Sequence, residues 1–193
     1  GNPSPRNRLT KQSELRCIQR SSPFNPRLDK PRGSREAIRH ILGHSTQHHM
    51  PSILVLNGPN LNLLGTRQPE VYGATTLDDV HGLCLKTAGR LGLDIEFRQS
   101  NHEGELIDWI HAARGTHDGI VLNAGAYTHT SIAIMDALAS VELPVAEVHL
   151  SNIHRREAFR HHSYVSLVAV GMIAGFGAIG YALAIEALAE RIR

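Results

Sequence analysis

Cysteine is scarce. The 193 residues hold two, Cys17 and Cys84, too few for a disulfide framework, and a reducing compartment fits. No apolar run approaches the roughly 18–20 residues that a membrane span needs, so no membrane partner is expected. The longest, around 167–176, has the length of a buried strand. After residue 50 lysine is reduced to Lys86, in a stretch patterned as a helix. A Schiff-base mechanism, which needs a desolvated lysine, has little to work with. There is no GKS or GKT loop, no G-x-S-x-G elbow, no H-E-x-x-H and no cysteine pair. P-loop, nucleophilic-serine and zinc chemistries are therefore poor readings. His161 and His162 read as a surface pair rather than as metal ligands.

Basic charge is unevenly spread. Residues 1–49 carry eight Arg and two Lys against Glu14, Asp29 and Glu36, a balance of +7. The remaining ten basic and fifteen acidic residues give −5, so the net +2 belongs to the tail. A nucleic-acid footprint would be a basic face on the folded part, so no nucleic-acid partner is expected. Residues 1–49 are rich in Pro, Arg and Ser and lack sustained periodicity. They read as a disordered extension or a read-through artefact. The alternative is a targeting peptide, since Arg- and Ser-rich, acid-poor segments have that character. Met50, followed at once by a strand pattern, looks like a natural start, with residues 50–193 as the catalytic domain and a cytoplasmic location.

From Met50 strands and helices alternate. Strands are expected at 53–56, 94–99, 119–123, 144–149 and 168–176. Helical spacing joins Leu77, Val80, Leu83, Cys84, Ala88 and Leu91, with Thr75 or Thr76 as N-cap and Gly92 as terminator. Further helices are expected at 106–113, 131–141 and 180–193. This alternation predicts an α/β fold with a parallel sheet covered on both faces. Five units suggest a flavodoxin-like order, 2-1-3-4-5, with ligands beyond the carboxyl ends of the strands.

Four stretches carry candidate chemistry. Gly175-Phe176-Gly177-Ala178-Ile179-Gly180 matches the dinucleotide fingerprint, but too little chain follows for its strand and acidic residue, so packing glycines are the better reading. The first strand ends in Asn57-Gly58-Pro59-Asn60-Leu61-Asn62-Leu63-Leu64-Gly65 and continues through Arg67, Tyr72 and Gly73. Such a loop far exceeds the usual ~2–6 residues and suggests a lid or binding loop. A guanidinium near a phenol favours the phenolate, although a solvated Arg67 and a packing Tyr72 also fit. Leu122-Asn123-Ala124-Gly125-Ala126-Tyr127-Thr128-His129-Thr130-Ser131, with Asp136 a turn later, suits either polyol binding or capping. Glu147-Val148-His149-Leu150-Ser151-Asn152 places a His beside a carboxylate that could fix its tautomer for acid–base work. Ser151 is expected to open a short helix carrying Arg156 and Arg160 on one face.

The last three stretches together resemble the type II 3-dehydroquinate dehydratase family, from about Ile53 to the C-terminus. The resemblance implies a cofactor-free hydro-lyase in the shikimate pathway or quinate catabolism, acting on 3-dehydroquinate. It implies Tyr72 as the base at C2, Arg67 as the cation lowering its pKa, and Asn60 as a stabiliser of the enolate through water. His149, oriented by Glu147, is implied as the acid. Asn123, His129 and Arg160 are implied to bind substrate hydroxyls, and the amides of Leu150 and Ser151 its carboxylate. Asp136 is implied to reach a neighbouring subunit's site in a dodecamer built from trimers. A different lyase or isomerase on a polyhydroxy carboxylate, and a non-catalytic flavodoxin-like binding module, are the competing classes.

Overall fold

The computed structural model describes residues 50–66 and 74–192. Strand β1, Ser52–Asn57, sends alternate side chains to opposite faces, as the period of two requires. Ile53 and Val55 join one core cluster, while Leu54 and Leu56 join another. The first cluster is closed by helices α1, Leu77–Leu91, and α4, Ile179–Ile192. The second is closed by α2, Glu103–Ala113, and α3, Ile132–Val141. Between them lie β2, Asp94–Gln99, β3, Gly119–Asn123, β4, Val145–His149, and β5, Gly171–Ala174. All pair in parallel in the expected order β2-β1-β3-β4-β5, a flavodoxin-like sheet. Among the described residues no helix is long and apolar enough to cross a membrane.

Local chemistry sets the helix ends. Thr76 caps α1 in a reciprocal box. Its hydroxyl accepts from the Asp79 amide at 3.2 Å, and the Asp79 carboxylate accepts from the Thr76 amide at 2.9 Å. Gly92 stops the helix at φ 68°. Ser131 lies outside α3 as its cap, its hydroxyl accepting from Ile134 N at 2.9 Å. Cys84, wholly buried in α1, has its thiol pushed up to about 12 by burial and is a core residue rather than a nucleophile.

The fifth strand is shorter than the apolar run at 168–176 suggests. Its first half follows a 3-10 turn, Val165–Leu167, and Val168 and Ala169 pack against the α2–α3 cluster. Leu167 and Val170 are exposed, so the apolar run there marks neither an unbroken strand nor full burial. Arg156 and Arg160 also do not share a helix. Asn152 caps a turn at Ile153–Arg155, Arg156 is extended, and a second turn forms at Ala158–Arg160. In the G-x-G-x-x-G segment, Gly180 lies close against the sheet. A Cβ there would sit 3.4 Å from Ile173 Cγ2, which fits the packing reading.

The register brings the chemistry to one edge. Asn57 pairs with Asn123, and His149 ends β4, so the loops after β1, β3 and β4 open at the same carboxyl end. Gly58 permits the closest approach among them. Its amide donates to Asn123 O at 2.7 Å, and a Cβ would lie 2.3 Å from Ala124 O. Any side chain at position 58 would force these two loops apart.

Candidate active site

A cleft of about 300 Å³ opens at this edge. Asn60, Asn123, His129, His149, Leu150, Ser151 and Arg160 line it, seven of the residues singled out in the sequence. Glu147 lies behind His149, fully buried. Asp136 sits on the exposed face of α3 and does not line the cleft. Arg67, Tyr72 and residues 1–49 lie outside the described residues.

Each wall is fixed by an identifiable contact. Asn60 takes a left-handed backbone at φ 68°, a conformation that asparagine tolerates better than most residues. Its amide donates to Asn101 Oδ1 at 2.9 Å, and Tyr127 donates its hydroxyl to Asn101 O at 2.9 Å. Asn123 both caps and faces the cleft. Its Oδ1 accepts from Gly125 N at 3.2 Å, while its Nδ2 donates to Tyr181 Oη at 2.8 Å. Tyr181 in turn donates to Asn57 Oδ1 at 2.7 Å, and burial pushes its phenol above the ordinary value. The sequence reading missed this Asn57–Tyr181–Asn123 chain. An aromatic within an apolar helix stripe looks like plain core, and only the polar residues at the tips of β1 and β3 hint at a partner.

The central feature is the Glu147–His149 pair. His149 Nε2 lies 2.7 Å from Glu147 Oε1. A carboxylate only accepts, so Nε2 carries the hydrogen and Nδ1 is left as the nitrogen for chemistry. Burial alone would raise the Glu147 carboxyl. Hydrogen bonds from His149, Ser166 and Thr128, with the His149 charge, instead bring it down to about 2. His129 stands nearly parallel to His149, 13° apart in plane with centroids separated by 6.3 Å. His129 Nδ1 donates to His162 O at 2.7 Å, leaving Nε2 as an acceptor. Burial first, and then the neighbouring His149 and Arg160, hold His129 below the usual histidine value against the raising effects of that carbonyl and of Glu147. Glu157 Oε2 receives Arg160 Nε at 2.9 Å and lies 3.5 Å from Arg156 Nε. Both arginines and Glu157 line the cleft, so the two guanidiniums meet one carboxylate although Arg156 is extended and Arg160 ends a turn.

This arrangement suits proton transfer on an anionic, hydroxylated ligand. It offers a buried carboxylate–imidazole pair, a neutral imidazole and guanidinium groups. Among the described residues no group of three or more His, Cys, Asp or Glu side chains could hold a metal. Residues 51–189 match the family model for dehydroquinase class II. The chain belongs to that family.

Other class II dehydroquinases agree with it along nearly their whole length. The chain is 67% identical over 136 residues to the 3-dehydroquinate dehydratase of Dinoroseobacter shibae, covering 70% of this chain and 91% of that protein. It is 63% identical over 140 residues to 3-dehydroquinate dehydratase 2 of Pseudomonas aeruginosa, covering 72% and 95%. The type II dehydroquinase structure from Butyrivibrio crossotus superposes with TM-score 0.70 at 46% identity, covering 72% of this chain and 97% of that one.

The low carboxyl of this dehydroquinase family member has a consequence for stability. Glu147 titrates at about 2 in the folded chain, below the ordinary 4.5. Its contribution is therefore present above the unfolded value and is lost as pH falls from about 4.5 toward 2. The difference corresponds to about 3 kcal/mol. Urea unfolding at pH 5 and pH 2.5 should show a steeper acid loss in wild type than in Glu147→Gln. Equal losses would mean that the carboxyl is not held low.

Proposed function

We propose that this chain eliminates water from 3-dehydroquinate to give 3-dehydroshikimate. The Glu147–His149 pair at the floor of the cleft is the observation that carries this reading, supported by the activity named for the relatives.

In the proposed reaction Tyr72, as phenolate, takes the proton from C2. The electron pair moves toward the C3 ketone to form an enolate, which Asn60 stabilises through water. The enolate collapses to the C1–C2 double bond as the C1–O bond breaks. His149 gives its Nδ1 proton to the departing hydroxyl, which leaves as water. A proton then passes from Tyr72 to His149 through solvent to restore the pair. Base and acid on opposite faces make the elimination anti. Both transfers are proton transfers, so neither metal nor redox cofactor is required.

The remaining roles are those the family resemblance implies. Neutral His129, Asn123 and Arg160 bind hydroxyls, and the Leu150 and Ser151 amides hold the carboxylate. Asp136 acts on a neighbouring subunit. On α3 it lies one turn from Ile132, which is half exposed, so both point away from their own core. That face fits contact with a second copy, in keeping with a dodecamer of trimers. The role is in aromatic biosynthesis or in quinate breakdown, and the location is cytoplasmic.

Mixing the chain with 3-dehydroquinate should produce the ultraviolet band of a conjugated enone. Binding without the band would favour a non-catalytic module, and turnover of another polyhydroxy carboxylate would favour a different lyase. A chain starting at Met50 should match the full chain in sedimentation and turnover. Loss of either property would make residues 1–49 part of the enzyme.

A further inference from the structure

Glu147 is surrounded by hydroxyls from two chain segments distant in sequence. Oε1 accepts from Thr128 Oγ1 at 2.5 Å and Ser163 Oγ at 2.7 Å, besides His149 Nε2 at 2.7 Å. Oε2 accepts from Ser166 Oγ. Ser163 Oγ also accepts from Ser166 N at 3.0 Å, so its own hydrogen is free to point at the carboxylate. An ionised carboxylate has about four acceptor sites, and four donors meet this one. Hydroxyls can turn to accept, as the 2.9 Å contact between Thr128 Oγ1 and Ser163 Oγ shows, but only the ionised carboxylate takes all four hydrogens at once.

The segment bearing the two serines ties down the second histidine as well. Tyr164 N donates to Thr128 O at 2.8 Å, and His162 O accepts from His129 Nδ1 at 2.7 Å. Residues 162–166 thus hold His129 directly and His149 through Glu147. The charged or titratable groups acting on His129 are His149, Arg160 and Glu147, and Glu157 holds Arg160.

We infer that Thr128, Ser163 and Ser166 are positioning residues for the dehydration, holding Glu147 as an acceptor-only carboxylate so that His149 keeps its Nε2 hydrogen on Glu147 while Nδ1 carries the proton given to the substrate. This rests on the reading of His149 as the acid. Without the hydroxyls, burial dominates and the carboxyl neutralises more readily. A neutral Glu147 no longer balances the imidazolium that carries the Nδ1 proton, and it can offer its own hydrogen to Nε2, so the charged acid is lost.

The test uses the full chain, with Ser163→Ala/Ser166→Ala beside wild type. Carbon-13 NMR of the Glu147 carboxyl, assigned by Glu147→Gln, reads its titration. Nitrogen-15 NMR of His149 reads the tautomer. Each lost charge-assisted hydrogen bond should raise the Glu147 midpoint by about one to two pH units. The double variant should therefore titrate about two to four pH units above wild type. Neutral His149 should shift from the Nε2–H form toward a mixture, and kcat should fall at least about 10-fold with KM changed less than about threefold. Ser166→Thr, which keeps the hydroxyl, should retain wild-type behaviour. An unmoved midpoint, an unchanged tautomer, or equal losses in Ser166→Thr and Ser166→Ala would overturn the inference. Should the double variant fail to fold, the exposed Ser166→Ala alone decides, with a rise of about one to two pH units expected. Wild-type turnover by His149→Ala would instead sink the acid assignment, and the NMR titrations would still report on the hydroxyls.

Discussion

Tyr72→Phe should lose at least about 10²–10⁴-fold in turnover while substrate binding survives. A free phenol with pKa about 10 is only about one part in a thousand ionised at pH 7. That small population would add roughly 4 kcal/mol to the barrier. Arg67 lies five residues earlier in the sequence. An adjacent cation depresses a pKa by about 1–3 units, which recovers much of the loss. The two residues should therefore act as a unit, with effects that do not add. Arg67→Ala should slow turnover and also raise the pH at which the rate begins to climb. Arg67→Lys should restore part of the effect, since lysine lacks the planar fork. The deciding comparison is the pH–rate profile of wild type against Arg67→Ala. A slower rate with an unmoved midpoint would assign Arg67 to substrate or lid and remove it from tuning the base.

His149→Ala should lose about 10²–10⁴-fold in kcat, with KM little changed. The expectation rests on geometry. His149 is 6% exposed at the tip of β4, its Nε2 engaged by Glu147 and its ring lining the cleft. A core histidine in the same position would give an unfolded or unstable variant. Circular dichroism and substrate titration on the variant separate the two outcomes. A folded variant that still turns over at the wild-type rate contradicts the acid assignment.

The fold was legible because each unit states its period. Strands β1 and β3 are built on continuous apolar runs, helix α1 repeats its apolar positions at helical spacing, and Thr76 and Gly92 mark its ends by backbone chemistry. Where the chain has no period, the reading failed. Arg156 and Arg160 are four apart, but the extended backbone at Arg156 divides the segment into two turns. The apolar stretch after Val165 covers core before it becomes strand. The strand-tip residues Asn123 and His149 stood out because polar side chains interrupt apolar runs. Thr128, Ser163, Ser166 and Tyr181 did not. Their roles arise from contacts to residues 16 to 124 positions away. A serine's spacing carries no sign of the carboxylate it meets.

The central claim is that one site, with Tyr72 as base and His149 as acid, removes water from 3-dehydroquinate. The most direct measurement is the rate of enone formation at saturating 3-dehydroquinate, wild type against the double variant Tyr72→Phe/His149→Ala, with binding of both proteins to the substrate confirmed by calorimetry. The account predicts steady enone formation by wild type and a rate at least about 10²–10⁴-fold lower in a double variant that still binds. Enone formation at a comparable rate by the double variant would contradict it.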